Sequence, residues 1–346
     1  EDVLANSYID LNPSYDESQN AYPIRISVKE GTDMTSLAPI FELTPGATIS
    51  PASGSVQNFT TPVRYTVTSE DKAWHRVYAI TAREQKASNI PTTYHFEKVR
   101  IMQNVWQEFY EEQDSGNELT WASGNKGFKW AMSEAATEDY PTTQIDNGKT
   151  GKCVKLETRL TGDLGNMVGM PIAAGNLFIG SFDMLNAITN PLSATRFGTP
   201  FYNKPLRLTG YYKYKAGEQF YENGEYTSRK DIFNIYAIFY DGVKYDSAGK
   251  GTDVTLDGNL PNQNYEHSSM VALALVSNPQ ETEGDEWKFF DIPFDYQRYG
   301  KKIDEARLAK GEYKIGIIFA SSKDGATFEG APGSTLLIDE VELIYE

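Results

Sequence analysis

The sequence has little of what most covalent or metal chemistry needs. Its 346 residues include one cysteine, Cys153, and three histidines, His75, His95 and His267. A single cysteine excludes an internal disulfide, so packing must hold the fold. The histidines lie far apart in sequence and read as ordinary surface or half-buried residues. There is no His-x-x-x-His pair, no Cys-x-x-Cys, and no glycine loop of the phosphate- or dinucleotide-binding kind. Long apolar runs are missing as well. Val271–Val276 and Ile315–Ala320 are near the longest, well short of the ~20 residues of a membrane-spanning helix. Nor is there any run of four basic residues. With 32 Lys+Arg against 48 Asp+Glu the net charge is −16, which argues against nucleic acid and anionic lipid as main partners. The chain opens on Glu1-Asp2-Val3 without an apolar signal core, as expected of a mature export product or a trimmed chain.

What is abundant is aromatic: 22 Tyr, 17 Phe and 5 Trp. Such a surplus suits a β-sheet core, and it also suits ligand recognition by ring stacking. The dominant period is two. Ile24, Ile26 and Val28 alternate with Arg25, Ser27 and Lys29, and Val63, Tyr65 and Val67 with Arg64, Thr66 and Thr68. These patterns predict half-buried strands of an antiparallel sheet. Thr44-Pro45-Gly46 and Pro51-Ala52-Ser53-Gly54 punctuate them as turns. Residues 1–86 therefore read as a small immunoglobulin-like β-sandwich. Residues 87–93, polar and proline-bearing, read as a linker. Residues 94–346 show strand signals at Tyr94–Ile101, Lys152–Leu160, Leu177–Phe182, Leu206–Lys215, Ile232–Asp241, Met270–Val276, Trp287–Phe294, Tyr313–Ser321 and Thr335–Tyr345. Short helices are expected only at Glu108–Gln113 and Ile303–Ala309. Many strands and few helices predict an all-β chain, its larger part a jelly-roll β-sandwich. Two long stretches, Trp121–Gly151 and Gly242–Ser269, lack periodicity and read as functional loops.

Five segments carry a family resemblance: Trp121-Ala-Ser-Gly-Asn125, Ile172-Ala-Ala-Gly-Asn-Leu-Phe-Ile-Gly-Ser-Phe182, Pro191-Leu-Ser-Ala-Thr-Arg-Phe-Gly-Thr-Pro-Phe201, Lys204-Pro-Leu-Arg-Leu-Thr-Gly-Tyr-Tyr-Lys-Tyr-Lys215 and Ser321-Ser-Lys-Asp-Gly-Ala-Thr-Phe-Glu-Gly-Ala331. Through them residues 94–346 resemble the putative carbohydrate metabolism domain family of Bacteroidetes cell-surface proteins. Residues 1–86 resemble the small immunoglobulin-like module that precedes such domains in surface lipoproteins. The resemblance implies a jelly-roll akin to carbohydrate-binding modules. It also implies export to the outer membrane and cell surface behind an N-terminal lipid, and work alongside other surface glycan-utilisation proteins.

Sugars are recognised by flat rings against C–H faces and by polar groups on hydroxyls. Strand Leu206–Lys215 puts Leu206, Leu208, Gly210, Tyr212 and Tyr214 on one face and Arg207, Thr209, Tyr211, Lys213 and Lys215 on the other. The second face reads either as a floor for a polar ligand or as solvated sheet with Lys stems packed on Tyr211. Strand Lys152–Leu160 repeats the pattern, with Val154, Leu156, Thr158 and Leu160 inward and Cys153, Lys155, Glu157 and Arg159 outward. Together they suggest a basic strip suited to an anionic sugar. Trp121, Asn125 and Trp130 belong to a loop that either packs over the sandwich end or closes on a groove. Arg196 and Trp287 complete the candidate ligand contacts. Glu97 and Asp339 fall on apolar faces of two strands that could pair. A carboxylate there must be hydrogen-bonded, ion-paired or metal-bound, so a structural calcium is one reading and a sheet-edge network the other. No other cofactor is expected.

Two carboxylates can cleave a glycosidic bond when about 5–5.5 Å or ~6.5–9.5 Å apart. With 48 Asp+Glu, such a pair arises easily, but the compact Glu-x-Asp-x-x-Glu strand motif of jelly-roll glucanases is absent. The residues thus favour non-catalytic binding of a poly- or oligosaccharide. A glycoside hydrolase and a structural or adhesive surface protein are the alternatives.

Overall fold

In the computed structural model, residues 13, 15–29, 31–85, 88–113 and 118–346 are described. The chain divides into two units, residues 1–87 with 344–346, and residues 88–343. Residues 86 and 87, where the expected linker begins, lie outside the described residues.

In the first unit the period-two segments form strands β1 (Tyr22–Lys29), β3 (Val63–Thr68) and β4 (His75–Gln85), joined by the short β2 (Thr48–Ser50), in the order β1-β4-β3-β2. Val28, Tyr65 and Ile80 turn to one core with Leu37 and Phe59. The expected antiparallel sheet is corrected to a mixed one, because β1 pairs with β4 in parallel. Parallel neighbours need a long crossover, and residues 30–74 supply it.

The second unit is built on two large sheets. One has the strand order Lys288–Pro293, Pro205–Lys215, Thr335–Tyr345, Cys153–Glu157, Thr142–Ile145, with Thr93–Tyr94 added beside 335–345. The other runs Asn176–Phe178, Tyr313–Ala320, Asn234–Asp241, Met270–Leu275, with Thr199–Phe201 beside 313–320. Seven consecutive residues of 234–241 are buried, so this strand is covered on both faces. Tyr236, Ile238 and Tyr240 meet Phe197, Leu256, Leu260 and Tyr265 on one side. Much of the expected loop Gly242–Ser269 is therefore a lid of apolar contacts over that sheet. It includes the hairpin Val243–Tyr245 with Gly251–Asp253.

Several strand and helix expectations need correction. Glu108–Gln113 is not helical. It falls in strand Trp106–Glu112, which pairs with Val99–Met102 on one side and Glu118–Thr120 on the other. The helix preference of its Glu and Gln residues yields to burial of Trp106 and Phe109. Tyr94–Ile101 is broken at Phe96, whose φ of 55° turns the chain; Glu97 lies outside the strand Val99–Met102, and Ile101 is exposed, so the expected apolar face is absent there. In 335–345 Glu340 has φ 48°, and the buried alternation Leu336, Ile338 shifts there to Val341, Leu343. A bulge of this kind moves every later side chain to the opposite face. Asp339 therefore faces away from Val341 and Leu343. The strand Lys152–Leu160 also breaks: Arg159–Leu160 pairs with Ile172–Ala173, and Leu160 is exposed. The expected helix near 303–309 is present as Glu305–Leu308, capped by the Asp304 carboxylate on the Ala306 and Arg307 amides.

Cys153 follows the strand alternation but not the expected exposure. It is fully buried, and burial next to the Asp339 carboxylate pushes its thiol up to about 12. A protonated, covered thiol is a poor nucleophile. An aromatic disulfide reagent at pH 8 should therefore leave Cys153 unreacted in the native protein and titrate it fully in denaturant. Rapid native reaction would show that the sheet face above it opens readily.

Candidate functional site

The expected loop Trp121–Gly151 contains a short helix, α1 (Asn125–Ala131), too brief to leave a periodic signature. Asn125 fixes its start. This residue is fully buried, its Oδ1 accepts the Thr142 N–H at 3.1 Å, and its Nδ2 donates to the Thr142 carbonyl at 2.7 Å. The amide thus copies a strand neighbour and ties α1 to the edge strand 142–145. Asn125 is a scaffold residue, not the expected ligand contact. Phe128 anchors the inner side of α1, edge-on to the buried Tyr140 at 5.4 Å and clustered with Trp106.

Around α1 lie two concavities. The first is an apolar cavity of about 170 Å³ whose wall includes Phe128, Trp130, Phe178, Phe182, Met184 and Phe328. Gly127 lets the Phe182 ring approach, since a Cβ there would meet the ring at 3.2 Å. No Asp or Glu is among the residues lining this cavity, and Lys323 is its one charged lining residue. The second is an open cleft of about 710 Å³ that shares Phe128 and Ala131 with the first. Its walls carry Glu134, Asp139, Glu157 and Arg159.

Arg159 organises the cleft. Its Nε lies 3.1 Å from Glu157 Oε1 in an ion pair without hydrogen-bond alignment, and its Nη1 lies 3.9 Å from Asp139 Oδ1. Nη2 donates to the Glu138 carbonyl at 3.4 Å, so the same side chain ties the 134–139 turn to the sheet. The other oxygen of Glu157 accepts from Lys155 Nζ at 3.1 Å. One rigid guanidinium lies between the two carboxylates, which keeps their nearest oxygens within roughly 9 Å of each other, no farther apart than the upper end of the range for carboxylate pairs that act on a glycosidic bond.

The remaining candidates are scattered or neutralised. Trp121 is fully buried among Tyr94, Phe96 and Phe319, with ring centroids 5.1–6.0 Å apart, so it packs rather than binds. Trp130 is 38% exposed at the apolar cavity. On the outer face of the larger sheet Tyr211 packs against Phe289 with centroids 5.2 Å apart and ring planes tilted by 56°, under Lys149, and Lys213 lies 5.0 Å from the Trp287 ring. The expected basic strip is not free charge. Arg207 pairs with Asp291 at 2.6 Å, Lys213 with Asp285 at 2.5 Å, and Lys155 and Arg159 with Glu157. Arg196 is exposed beside a separate concavity with Asp183 and Thr255.

Glu97 and Asp339 are engaged by amides. Thr150 N–H donates to Asp339 Oδ2 at 3.0 Å, Glu340 N–H to Asp339 Oδ1 at 2.8 Å, and Lys152 N–H to Glu97 Oε1 at 2.8 Å. Oxygens facing N–H groups are poorly placed for a cation, and no group of three or more His, Cys, Asp or Glu fit to hold a metal occurs among the described residues. The hydrogen-bond network is thus the account of both carboxylates, and the calcium reading is set aside. Burial raises Asp339 to about 6.

The chain belongs to the family described as putative carbohydrate metabolism domain, whose model matches residues 95–344. A model described as SGBP, N-terminal, matches residues 10–82. Two crystal structures are close relatives. A putative glycoside hydrolase from Bacteroides thetaiotaomicron VPI-5482 is 44% identical over 99% of this chain and 94% of that one, with a TM-score of 0.66. A putative glycoside hydrolase from Bacteroides vulgatus ATCC 8482 is 50% identical over 75% of this chain and 100% of that one, with a TM-score of 0.69. No curated protein matches the chain. These relatives overturn the expectation of a non-catalytic binder and the lean away from an enzyme. The grouping of Glu134 and Asp139 with Glu157 leaves no linear motif, because Glu134 lies in a turn, Asp139 ends the 3-10 helix Thr137–Asp139 and Glu157 ends a strand. The Glu157-x-Arg159 alternation was its one visible trace.

One further acid stands out away from the cleft. Glu111 is 7% exposed, accepts the Phe96 N–H at 2.9 Å, and is raised by burial from 4.5 to about 7. Its folded form holds a proton that the unfolded chain releases, so its contribution is complete below pH 4.5 and declines as pH rises toward 7. The ceiling of that change is roughly 3 kcal/mol. Denaturant melts between pH 4.5 and 8 should show stability falling with pH, and Glu111→Gln should flatten the slope. An unchanged slope in the variant would remove Glu111 as its source.

Proposed function

We propose that this protein is a glycoside hydrolase acting at the cleft between α1 and strand 153–157. The observation that carries the reading is the meeting of Glu157 and Asp139 around one guanidinium in a cleft also lined by Glu134, in a chain whose relatives, over 99% and 75% of its length, are described as putative glycoside hydrolases. Glycosidic cleavage needs a proton donor for the leaving oxygen and a carboxylate for the anomeric carbon or its attacking water. Glu157, flanked by Lys155 and Arg159, is the carboxylate. Asp139 and Glu134, across the cleft, supply the proton. Trp130 and the apolar cavity lie beside them to position the substrate by contact with ring faces.

The partner is a glycan, and the setting an exported protein at the cell surface, in keeping with the surface glycan-binding model matched by the N-terminal residues. No helix among the described residues is long and apolar enough to cross a membrane; attachment by an N-terminal lipid is the reading that the resemblance to surface lipoproteins supports. The two units are read as an immunoglobulin-like module of residues 1–86 and a jelly-roll of residues 94–346. The paired cations on the sheet face argue for a glycan without dense negative charge.

The test is reducing-end release from a panel of neutral and acidic polysaccharides by the full chain. Glu157→Gln should cost about 10²-fold or more in rate, the usual scale of a lost general base or nucleophile. Asp139→Asn with Glu134→Gln should cost a comparable factor, while melting temperatures stay close to the parent's. Undiminished hydrolysis in all of these variants would move the chemistry elsewhere on the protein.

A further inference from the structure

We propose that the apolar cavity beside α1 is a subsite for one aromatic ring carried by the substrate, as an aglycone or as a ring-bearing substituent of the glycan. Assigning the ring to a substrate rests on the hydrolase reading. Binding of the ring itself does not.

Volume and lining both point to this occupant. An apolar cavity of ~150 Å³ lined by aliphatic and aromatic side chains stays dry and takes a benzene molecule. This one measures about 170 Å³ and is walled by Phe128, Phe182, Phe328 and Met184, with Trp130 half-exposed at it. A sugar ring, with a hydroxyl on nearly every carbon, would leave most of those hydroxyls unpaired, since the wall has few polar side chains and the Thr161 and Ser322 hydroxyls among them already donate to the Met170 carbonyl and the Asp231 carboxylate. The backbone keeps the space open. Gly127 gives up its side chain to Phe182, and small residues such as Ala187 and Ala326 line the wall where longer ones would fill it.

One polar group gives the ring a direction. Asn234 lines the cavity, is 3% exposed, and donates through Nδ2 to the Tyr265 hydroxyl at 2.9 Å. No hydrogen bond reaches its Oδ1 among the described residues. A ring bearing a hydroxyl, as in a phenolic group, would satisfy that oxygen. The cavity also shares Phe128 and Ala131 with the carboxylate cleft, so the two concavities are neighbours at α1, and on this proposal the sugar joined to the ring lies on the side of the acids.

Calorimetric titration of the full chain with p-cresol tests the subsite without any glycosidic bond. The expected result is saturable 1:1 binding, weakened at least tenfold in both Ala187→Phe and Ala326→Phe, with melting temperatures retained in at least one of them. Weaker binding of 4-methylanisole than of p-cresol should report the Asn234 oxygen. In the Glu157→Gln protein, 4-nitrophenyl glycosides should bind more tightly than the matching methyl glycosides. Absence of saturable p-cresol binding, or binding unchanged by both filling variants, would overturn the subsite. Equal affinity for aryl and methyl glycosides would overturn its assignment to substrate. Ring binding that persists while no glycan is cleaved would support the subsite and count against the hydrolase reading alone.

Discussion

The Asn125 amide holds the site together. Its two hydrogen bonds to the backbone of Thr142 fix the start of a seven-residue helix that could not persist alone, since isolated helices this short are unstable in water. From that point α1 places Phe128 inward, Trp130 at the apolar cavity, and Ala131 between cavity and cleft. Asn176 reinforces the anchor, accepting the Gly124 N–H at 2.7 Å through Oδ1. Losing the clamp would leave the Asn125 partners buried without hydrogen bonds, a cost of about 1–3 kcal/mol for each group. That cost explains why a fully buried side chain beneath α1 is polar.

Charge organisation follows a related rule. The protein is strongly acidic, yet the cations at the sheet face and cleft lie against carboxylates at 2.5–3.1 Å, as with Lys213–Asp285, Arg207–Asp291 and Lys155–Glu157. Exposed pairs of this kind add little to stability. What they do is orient. Arg159 is the clearest case, because one guanidinium sets the separation of Glu157 and Asp139 while its third nitrogen ties down the turn that carries Asp139. Two carboxylates near each other repel unless a cation lies between them, and this one stands two residues beyond Glu157, just past the end of its strand.

Much of the architecture was legible because period-two alternation reports a half-buried strand directly. Leu206–Lys215 and Thr335–Tyr345 were placed to within a residue at each end. The failures share a physical cause, a local backbone event that alternation cannot reveal. The positive φ at Phe96 interrupted the strand before Glu97, that at Glu340 shifted the alternation after Asp339, and the break after Glu157 sent Leu160 to solvent. Cys153 kept its face, but a loop covers that face: Thr150 and Lys152 bind the carboxylates beside it. The site was harder to read than the fold. Trp121 and Trp130 are nine residues apart with similar surroundings in sequence, yet one is core and the other lines a cavity. The cleft joins residues from 134 to 159 through packing against α1, which no linear spacing records.

On the proposed chemistry, Glu157 and its neighbours cleave a glycosidic bond with water. Hydrolysis of an accepted glycan in heavy-oxygen water, read by mass spectrometry, tests it most directly. The predicted result is one heavy oxygen for each bond cut, at one newly formed end, with the label nearly absent in the Glu157→Gln protein. An intact glycan, or cleaved product without label, would contradict it.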